Sequence, residues 1–215
     1  QNLRQAGANS TEQTTLPTGL QVGLGVRPVA TARIYTQGNL QQTGNALDIA
    51  VDGRGFFEIQ MADGSLAYSR DGSFKLSAQG ELVNSQGFLL QPAINIPQGA
   101  QSITIAADGT VTAKLADQAQ PLELGRLTLT DFVNPSGLQA RGGNLYVETA
   151  ASGPPQQGTP GLNGLGSMEQ GSLEASNVNI VEEMVAMIET QRAYEVNSKM
   201  ISATDEMLKY VNQNI

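Results

Sequence analysis

Apolar residues recur every seventh position toward the end of the chain, at Ile180, Met187, Tyr194, Ile201, Leu208 and Ile215. Val181, Met184, Ile188, Thr204 and Val211 flank that line. No Pro or Gly interrupts the stretch, and Glu, Met, Gln, Lys and Ala supply helix propensity. Asn179 followed by Glu182 has the spacing of a capping box, which sets the start near Ile180. The pattern thus predicts one helix to the end of the chain, roughly 54 Å long. A strict seven-residue repeat follows the period of a supercoil and asks for a partner helix. The candidate seam is Ile180, Met184, Met187, Ile188, Tyr194, Ile201, Leu208, Val211 and Ile215. Its second line is weak, because Thr190, Asn197 and Thr204 are polar. From the pattern alone, a terminal helix docked on its own domain is the simplest reading. The length of the rod weighs against that, since few compact domains of this size carry such a helix.

Upstream the period changes to two. Leu47, Ile49 and Val51 alternate with polar or small residues, and Phe57, Ile59 and Met61 repeat the alternation. Asp63-Gly64, Asp71-Gly72 and Asp108-Gly109 are hairpin-type turn signals, with Gln79-Gly80 and Gln86-Gly87 as weaker ones. Short strands are expected around Leu66–Tyr68, Phe74–Leu76, Leu82–Val83 and Phe88–Leu90. Further ones are expected at Ile94/Ile96, Ile103/Ile105, Val111/Leu115, Leu122/Leu124, Leu127/Leu129 and Leu145/Val147. Such spacing indicates a mainly β protein, an antiparallel sandwich or barrel-like domain, carrying a coiled-coil-type C-terminal helix. Ser152 to Gly166, with three Pro and five Gly, reads as a loop. Residues 1 to 19 are polar and read as a flexible arm. Three regions follow: residues 1–45, an extended polar arm and connecting β segment; 46–167, a β-rich outer domain; and 168–215, the helix with its lead-in.

Composition removes most chemistry. The chain of 215 residues has no Cys and no His, so thiolate and imidazole sites are closed. Twelve basic against twenty acidic residues give a net charge of −8, which argues against nucleic acid and anionic membrane as partners. No apolar run approaches the roughly 18 residues of a membrane span. Asp48, Asp52 and Asp131 together with the Asp-Gly pairs could suggest a calcium site, but the alternating ligand pattern closed by a Glu is absent. Gly161-Leu162-Asn163-Gly164-Leu165-Gly166 imitates a phosphate loop without its Gly-Lys-Ser/Thr ending. The residues leave two classes: a β-rich ligand-binding module, or a structural protein whose helix and arm join copies.

Longer motifs separate these classes. Gln170-Gly171-Ser172-Leu173-Glu174-Ala175-Ser176-Asn177-Val178-Asn179, Glu182-Glu183-Met184-Val185-Ala186-Met187-Ile188 and Gln191-Arg192-Ala193-Tyr194-Glu195-Val196-Asn197-Ser198-Lys199 closely resemble the C-terminal signature of flagellar rod and hook axial proteins. Gly53-Arg54-Gly55-Phe56-Phe57, Tyr68-Ser69-Arg70-Asp71-Gly72-Ser73-Phe74, Gln37-Gly38-Asn39-Leu40 and Gly80-Glu81-Leu82-Val83 agree with it. The arm, with Arg4, Gln5 and Gly7 and then Glu12, Gln13, Thr14, Thr15, Leu16 and Pro17, resembles the distal-rod branch of that family. The family opens with a helix bearing an Ala-Asn-Asn-Leu-Ala-Asn-type motif that is missing here, so the resemblance implies a chain lacking its first helix.

The resemblance implies a structural subunit of the flagellar distal rod. Such a subunit self-assembles into a hollow helical tube that spans the periplasm in the basal body and transmits motor torque to the hook. It implies type III export without a cleaved signal peptide. The implied partners are the chain itself as a helical homopolymer, proximal rod proteins, the hook or hook-junction protein, and the P-ring and L-ring proteins. No catalytic residue, cofactor or metal, no nucleic acid and no membrane insertion are implied. The alternatives are a proximal rod or hook subunit of the same family, and a β-rich ligand-binding module.

Overall fold

The β-forming stretches, each too short to bury a face alone, are collected into antiparallel sheets around shared apolar clusters. The structure is a computed structural model that describes residues 33–116 and 120–213, together with four short strands ahead of residue 33. It divides into two compact units, Gln1–Ile34 and Tyr35–Ile215.

In the first unit Asn2–Arg4 pairs with Leu20–Gln21, and Asn9–Thr11 pairs with Thr14–Thr15, both antiparallel. Arg4, Thr14 and Thr15 therefore lie on strands, where the polar composition predicts a flexible arm. Ladder bonds are main-chain bonds and need no apolar side chains, so composition carries no signal for them. Gln5, Gly7, Glu12, Gln13, Leu16 and Pro17 lie outside the described residues.

The second unit is mostly β, closed by one long helix. Its largest sheet has seven strands, in the order Gln139–Gly142, Leu145–Val147, Leu66–Ser69, Phe57–Gln60, Leu89–Gln91, Leu82–Val83 and Lys75–Leu76. A three-stranded meander runs through Ala100–Ile105, Thr110–Leu115 and Leu122–Arg126. Asp63-Gly64 and Asp108-Gly109 make hairpin turns, with Gly64 and Gly109 at φ of 81° and 84°, a region that glycine enters without steric cost.

The strand Phe57–Gln60 buries both faces at the centre of the large sheet. Phe57 and Ile59 enter the main cluster with Ile49, Val51, Phe74, Leu90, Val111 and Leu129. The opposite face carries Phe56, Tyr68, Phe132 and Leu138, with Tyr35 and Tyr146 packed against them. The aromatic rings there meet edge to face, Tyr68 and Phe132 at 4.7 Å between centroids. The buried carboxylate of Glu58 accepts hydrogen bonds from the Gln157 amide and the Thr130 hydroxyl, so it is not left without partners.

Three readings of the sequence are corrected. Asp71-Gly72 turns no hairpin, because the strands on either side of it, Leu66–Ser69 and Lys75–Leu76, are not paired with each other. Ile94 and Ile96 are buried in the main cluster, but their backbone forms no strand and makes one isolated bridge, Glu81 to Asn95. Alternation there records burial without pairing. The Pro- and Gly-rich stretch from Ser152 contains a strand, Gln156–Gly158, that pairs with Leu129–Asp131. Its side chains are polar, and the ladder is set by the main chain.

Tyr68 ties this core to pH. Burial, reinforced by the charges of Glu58 and Glu148, pushes its phenol up to about 12 from an ordinary 10. Between those values the unfolded chain releases a proton that the folded chain keeps. This contribution to stability is therefore complete below pH 10 and is lost as pH rises from 10 to about 12, by at most about 1.4 kcal/mol per pH unit. Denaturant midpoints of the wild type and Tyr68→Phe at pH 9 and pH 11 test the assignment. Tyr68→Phe should lose less stability over that interval, and equal losses would remove Tyr68 as the source.

Candidate assembly surface

The quoted motifs, distant in sequence, meet at the root of the helix. Ser167–Gln170 pairs with Ile49–Asp52, and Ser172–Glu174 pairs with Leu40–Gln42. The helix lead-in is thus two strands of the β unit. Arg70 lies at their junction. Its Nε donates to Glu174 Oε2 at 3.0 Å, and its Nη1 donates to the carbonyls of Gly53 and Gly55 at 2.8 and 2.6 Å. The guanidinium also lies 5.9 Å from the Phe56 ring centroid. The other Glu174 oxygen accepts the Gly38 N–H at 2.9 Å. Gln37 accepts the Gly53 N–H and donates to the Val51 carbonyl, while Asn177 donates to Thr36. One cation therefore joins both glycines of Gly53-Arg54-Gly55 to the strand that leads into the helix.

Arg70→Ala removes three charge-assisted hydrogen bonds and leaves the mostly buried Glu174 carboxylate without its cation. Both side chains keep some contact with water, at 22% and 15% exposure, so the expected cost is about 3 kcal/mol and not the upper figure for a buried pair. For a chain of this length that lowers Tm by roughly 6–12 °C. Arg70→Lys should recover little, because one ammonium cannot span the carboxylate and both carbonyls. Calorimetry checks both, and a full rescue by Lys would contradict the need for one planar group to reach the carboxylate and both carbonyls.

Beyond this root runs the helix Ile180–Gln213, 34 residues and about 51 Å long. Asn179 Oδ1 accepts the Val181 N–H at 3.2 Å, and its carbonyl accepts the Glu183 N–H. Glu182 and Glu183 occupy the first turn, where acids interact favourably with the helix dipole. The helix is not docked on its own domain, because every side chain described on it is exposed. Among the expected seam residues, Ile180 is 69% exposed, Tyr194 77% and Ile201 65%, with Met184, Met187 and Ile188 also in solvent. Leu208 and Val211 lie on the helix, but their side chains, like Ile215 as a whole, fall outside the described set.

Polar positions along the helix satisfy themselves. The hydroxyls of Thr190 and Thr204 donate to the carbonyls of Ala186 and Met200, both at 2.8 Å. A second set of exposed apolar residues, Val196, Met200, Met207 and Tyr210, lies off the line read from the sequence. A 4-3-4-3 count through Ala203 would have revealed it.

The carboxylates considered for chemistry are each used locally. Asp48 accepts from Thr43 and Asn45, Asp71 from the Ser73 N–H and hydroxyl, and Asp131 pairs with Arg54 at 2.9 Å. Asp63 and Asp108 are held below the ordinary carboxylate range, chiefly by hydrogen bonds from Ser65 and Thr110. These are turn interactions. Among the described residues, no helix is long and apolar enough to cross a membrane.

Comparison with known proteins places this geometry. Residues 50–113 match the flagellar hook protein FlgE/F/G D1 domain, and residues 169–214 match the flagellar basal body rod FlgEFG protein C-terminal region. The flagellar basal-body rod protein FlgG of Buchnera aphidicola subsp. Acyrthosiphon pisum is 55% identical over 213 residues, covering 99% of this chain and 82% of the relative. The chain belongs to the FlgG family of flagellar basal-body rod proteins. The FlgG protein of Borreliella burgdorferi is 48% identical, with 99% of this chain and 81% of the relative covered. A hook-basal body complex protein, FlhP of Bacillus subtilis, is 33% identical over 91% of this chain and 75% of its own length. The FlgEFG C-terminal match over 169–214 takes in the fastened lead-in and the exposed helix together, and the match over 50–113 takes in the Gly53–Phe57 and Tyr68–Phe74 segments that brace them.

Proposed function

We infer that this chain is a structural subunit of the flagellar basal-body rod, and we propose that it works by self-assembly into the distal section as a hollow helical tube. The observation that carries the reading is a 34-residue helix with exposed apolar faces, fastened at its root to the β unit. Apolar surface of this extent is left for other helices to cover. A contact of different patches on successive copies builds an open helical array, and a stiff tube of that kind transmits torque. The β unit then forms the outer layer and the helix the inner one. The arm motif supports the distal section over the proximal rod or hook. Proximal rod proteins, the hook or its junction protein, and the P-ring and L-ring proteins are the expected neighbours, with the rod spanning the periplasm. Export through the type III route without a cleaved signal accompanies this placement. The subunit catalyses no reaction in this reading, which is supported by the use of Asp48, Asp71 and Asp131 in local hydrogen bonds and an ion pair.

Removing the gene tests the assignment. Cells should be non-motile, with basal bodies that keep the proximal rod and stop short of a hook. Complete rods and normal swimming in the deletion would refute it.

A further inference from the structure

The segment that imitates a phosphate loop closes on itself. The Gly161 N–H donates to the Gly166 carbonyl at 2.9 Å, and the Leu165 N–H donates to the Leu162 carbonyl at 3.0 Å. Asn163 and Gly164 lie between them at φ of 54° and 80°, the signature of a type I′ turn. Both residues are exposed, and a Cβ added at Gly164 would meet nothing within 4 Å. Among the described residues, nothing bonds the Asn163 carboxamide or the Gly164 N–H. An electrophilic amide carbon and an unbonded main-chain nitrogen are therefore neighbours in open water.

We propose that Asn163 is a site of spontaneous covalent modification, deamidation through a succinimide. The Gly164 nitrogen attacks Cγ of Asn163, and its proton passes through water to the departing amide nitrogen. The N–Cγ bond forms, the Cγ–Nδ2 bond breaks and ammonia leaves. Water then opens the ring. Addition at Cγ gives aspartate, and addition at the main-chain carbonyl gives isoaspartate, with the chain now running through the former side chain. Water is the only co-reactant, and nothing is oxidised or reduced. Each event adds a negative charge to the loop. Asp-Gly still fits a type I′ turn, whereas isoaspartate lengthens the main chain there and breaks its register.

Other candidates are shielded. Asn163-Gly164 is the one Asn-Gly pair in the chain, and glycine leaves the attacking nitrogen unhindered. Asn45 and Asn144 donate to Asp48 and Asp71, and Asn84 Oδ1 accepts the Gln86 and Phe88 N–H groups. Asn134 precedes Pro135, which has no N–H to lose. The Asp-Gly pairs could close the same ring by losing water. Asp63 and Asp108, however, are held below the ordinary carboxylate range, and an ionised carboxylate is a poor electrophile.

The turn sets the rate. Left-handed dihedrals at Asn163 direct the Gly164 nitrogen away from the carboxamide, so the turn must open first. Its one closing bond, from the Leu165 N–H to the Leu162 carbonyl, is worth about a factor of five in population. The folded chain should thus react at Asn163 about fivefold more slowly than the same chain unfolded in guanidinium chloride.

Peptide mass spectrometry of the folded chain, incubated from neutral to mildly alkaline pH, reads the change of amide to acid at residue 163. Chromatography separates the aspartate and isoaspartate peptides, and both should appear. The rate should rise with hydroxide, because the attacking nitrogen must lose its proton. Asn163→Gln, whose ring closes far more slowly, should leave this position unmodified and the melt unchanged. Protection beyond about a hundredfold would exceed what one closing bond supplies and would overturn the proposal. A rate indifferent to pH, or aspartate formed without isoaspartate, would overturn it as well, since neither passes through the ring.

Discussion

Gly72→Ala should destabilise the chain by more than about 4 kcal/mol, and in cells little folded protein should accumulate. A Cβ at Gly72 would lie 1.7 Å from the carbonyl oxygen of Ile49 and 2.7 Å from its carbon. Neither atom can move away cheaply. The Ile49 N–H donates to the Gly72 carbonyl at 3.0 Å, and the strand Ile49–Asp52 is paired on its other side with Ser167–Gln170. Ile49 is fully buried and Phe74 nearly so, hence separating the segments opens the main cluster itself. Gly64→Ala is the contrast. That position has φ of 81° but open space around it, so the substitution costs only backbone strain, about 1–2 kcal/mol. Chemical denaturation of both variants separates packing from conformation. Equal losses would show that the two segments move apart at little cost and that the close approach at Gly72 does not limit stability.

The same residue shows how far local signals reach. Asp71-Gly72 resembles Asp63-Gly64 in sequence, yet it turns no hairpin. Asp71 bonds Ser73, and Gly72 lets one segment lie against another. A turn is written in adjacent residues, whereas a close approach depends on what arrives from elsewhere. Arg70 and Glu174 make the point more sharply, since they are 104 residues apart and neither residue alone announces the pair. The alternation of Phe57 and Ile59 and the period of the helix were legible because burial imposes them on consecutive residues. Leu40–Gln42, Gln139–Gly142 and Gln156–Gly158 were not, because their ladders use main-chain groups and leave polar side chains free to vary. On the helix, the seven-spaced line drew attention from a second stripe whose steps alternate between three and four.

Ile201→Asp should abolish rod assembly and motility while leaving the fold nearly untouched. In the free chain Ile201 is 65% exposed, so a carboxylate there meets water and the melt of the β unit should move by no more than about 2 °C. In an intersubunit seam the same carboxylate is buried without a partner, at a cost of several kcal/mol repeated at every copy. It must otherwise take up a proton, with its pKa driven upward by burial. Ile201→Val, which keeps an apolar surface, should assemble. Calorimetry beside motility and electron microscopy of basal bodies reads both arms. A drop of 5–10 °C in the melt with normal rods would mean that the helix serves its own domain.

The central claim is that the exposed apolar line of the helix becomes an interface between subunits. Because the chain lacks cysteine, Ile201→Cys gives a single thiol whose reaction with a maleimide can be followed in the free protein and in purified basal bodies. Rapid labelling of the free protein and strong protection in the rod are expected, with full labelling regained when the rods are dissociated by acid and the subunits returned to neutral pH. Labelling at the same rate in both states would contradict it.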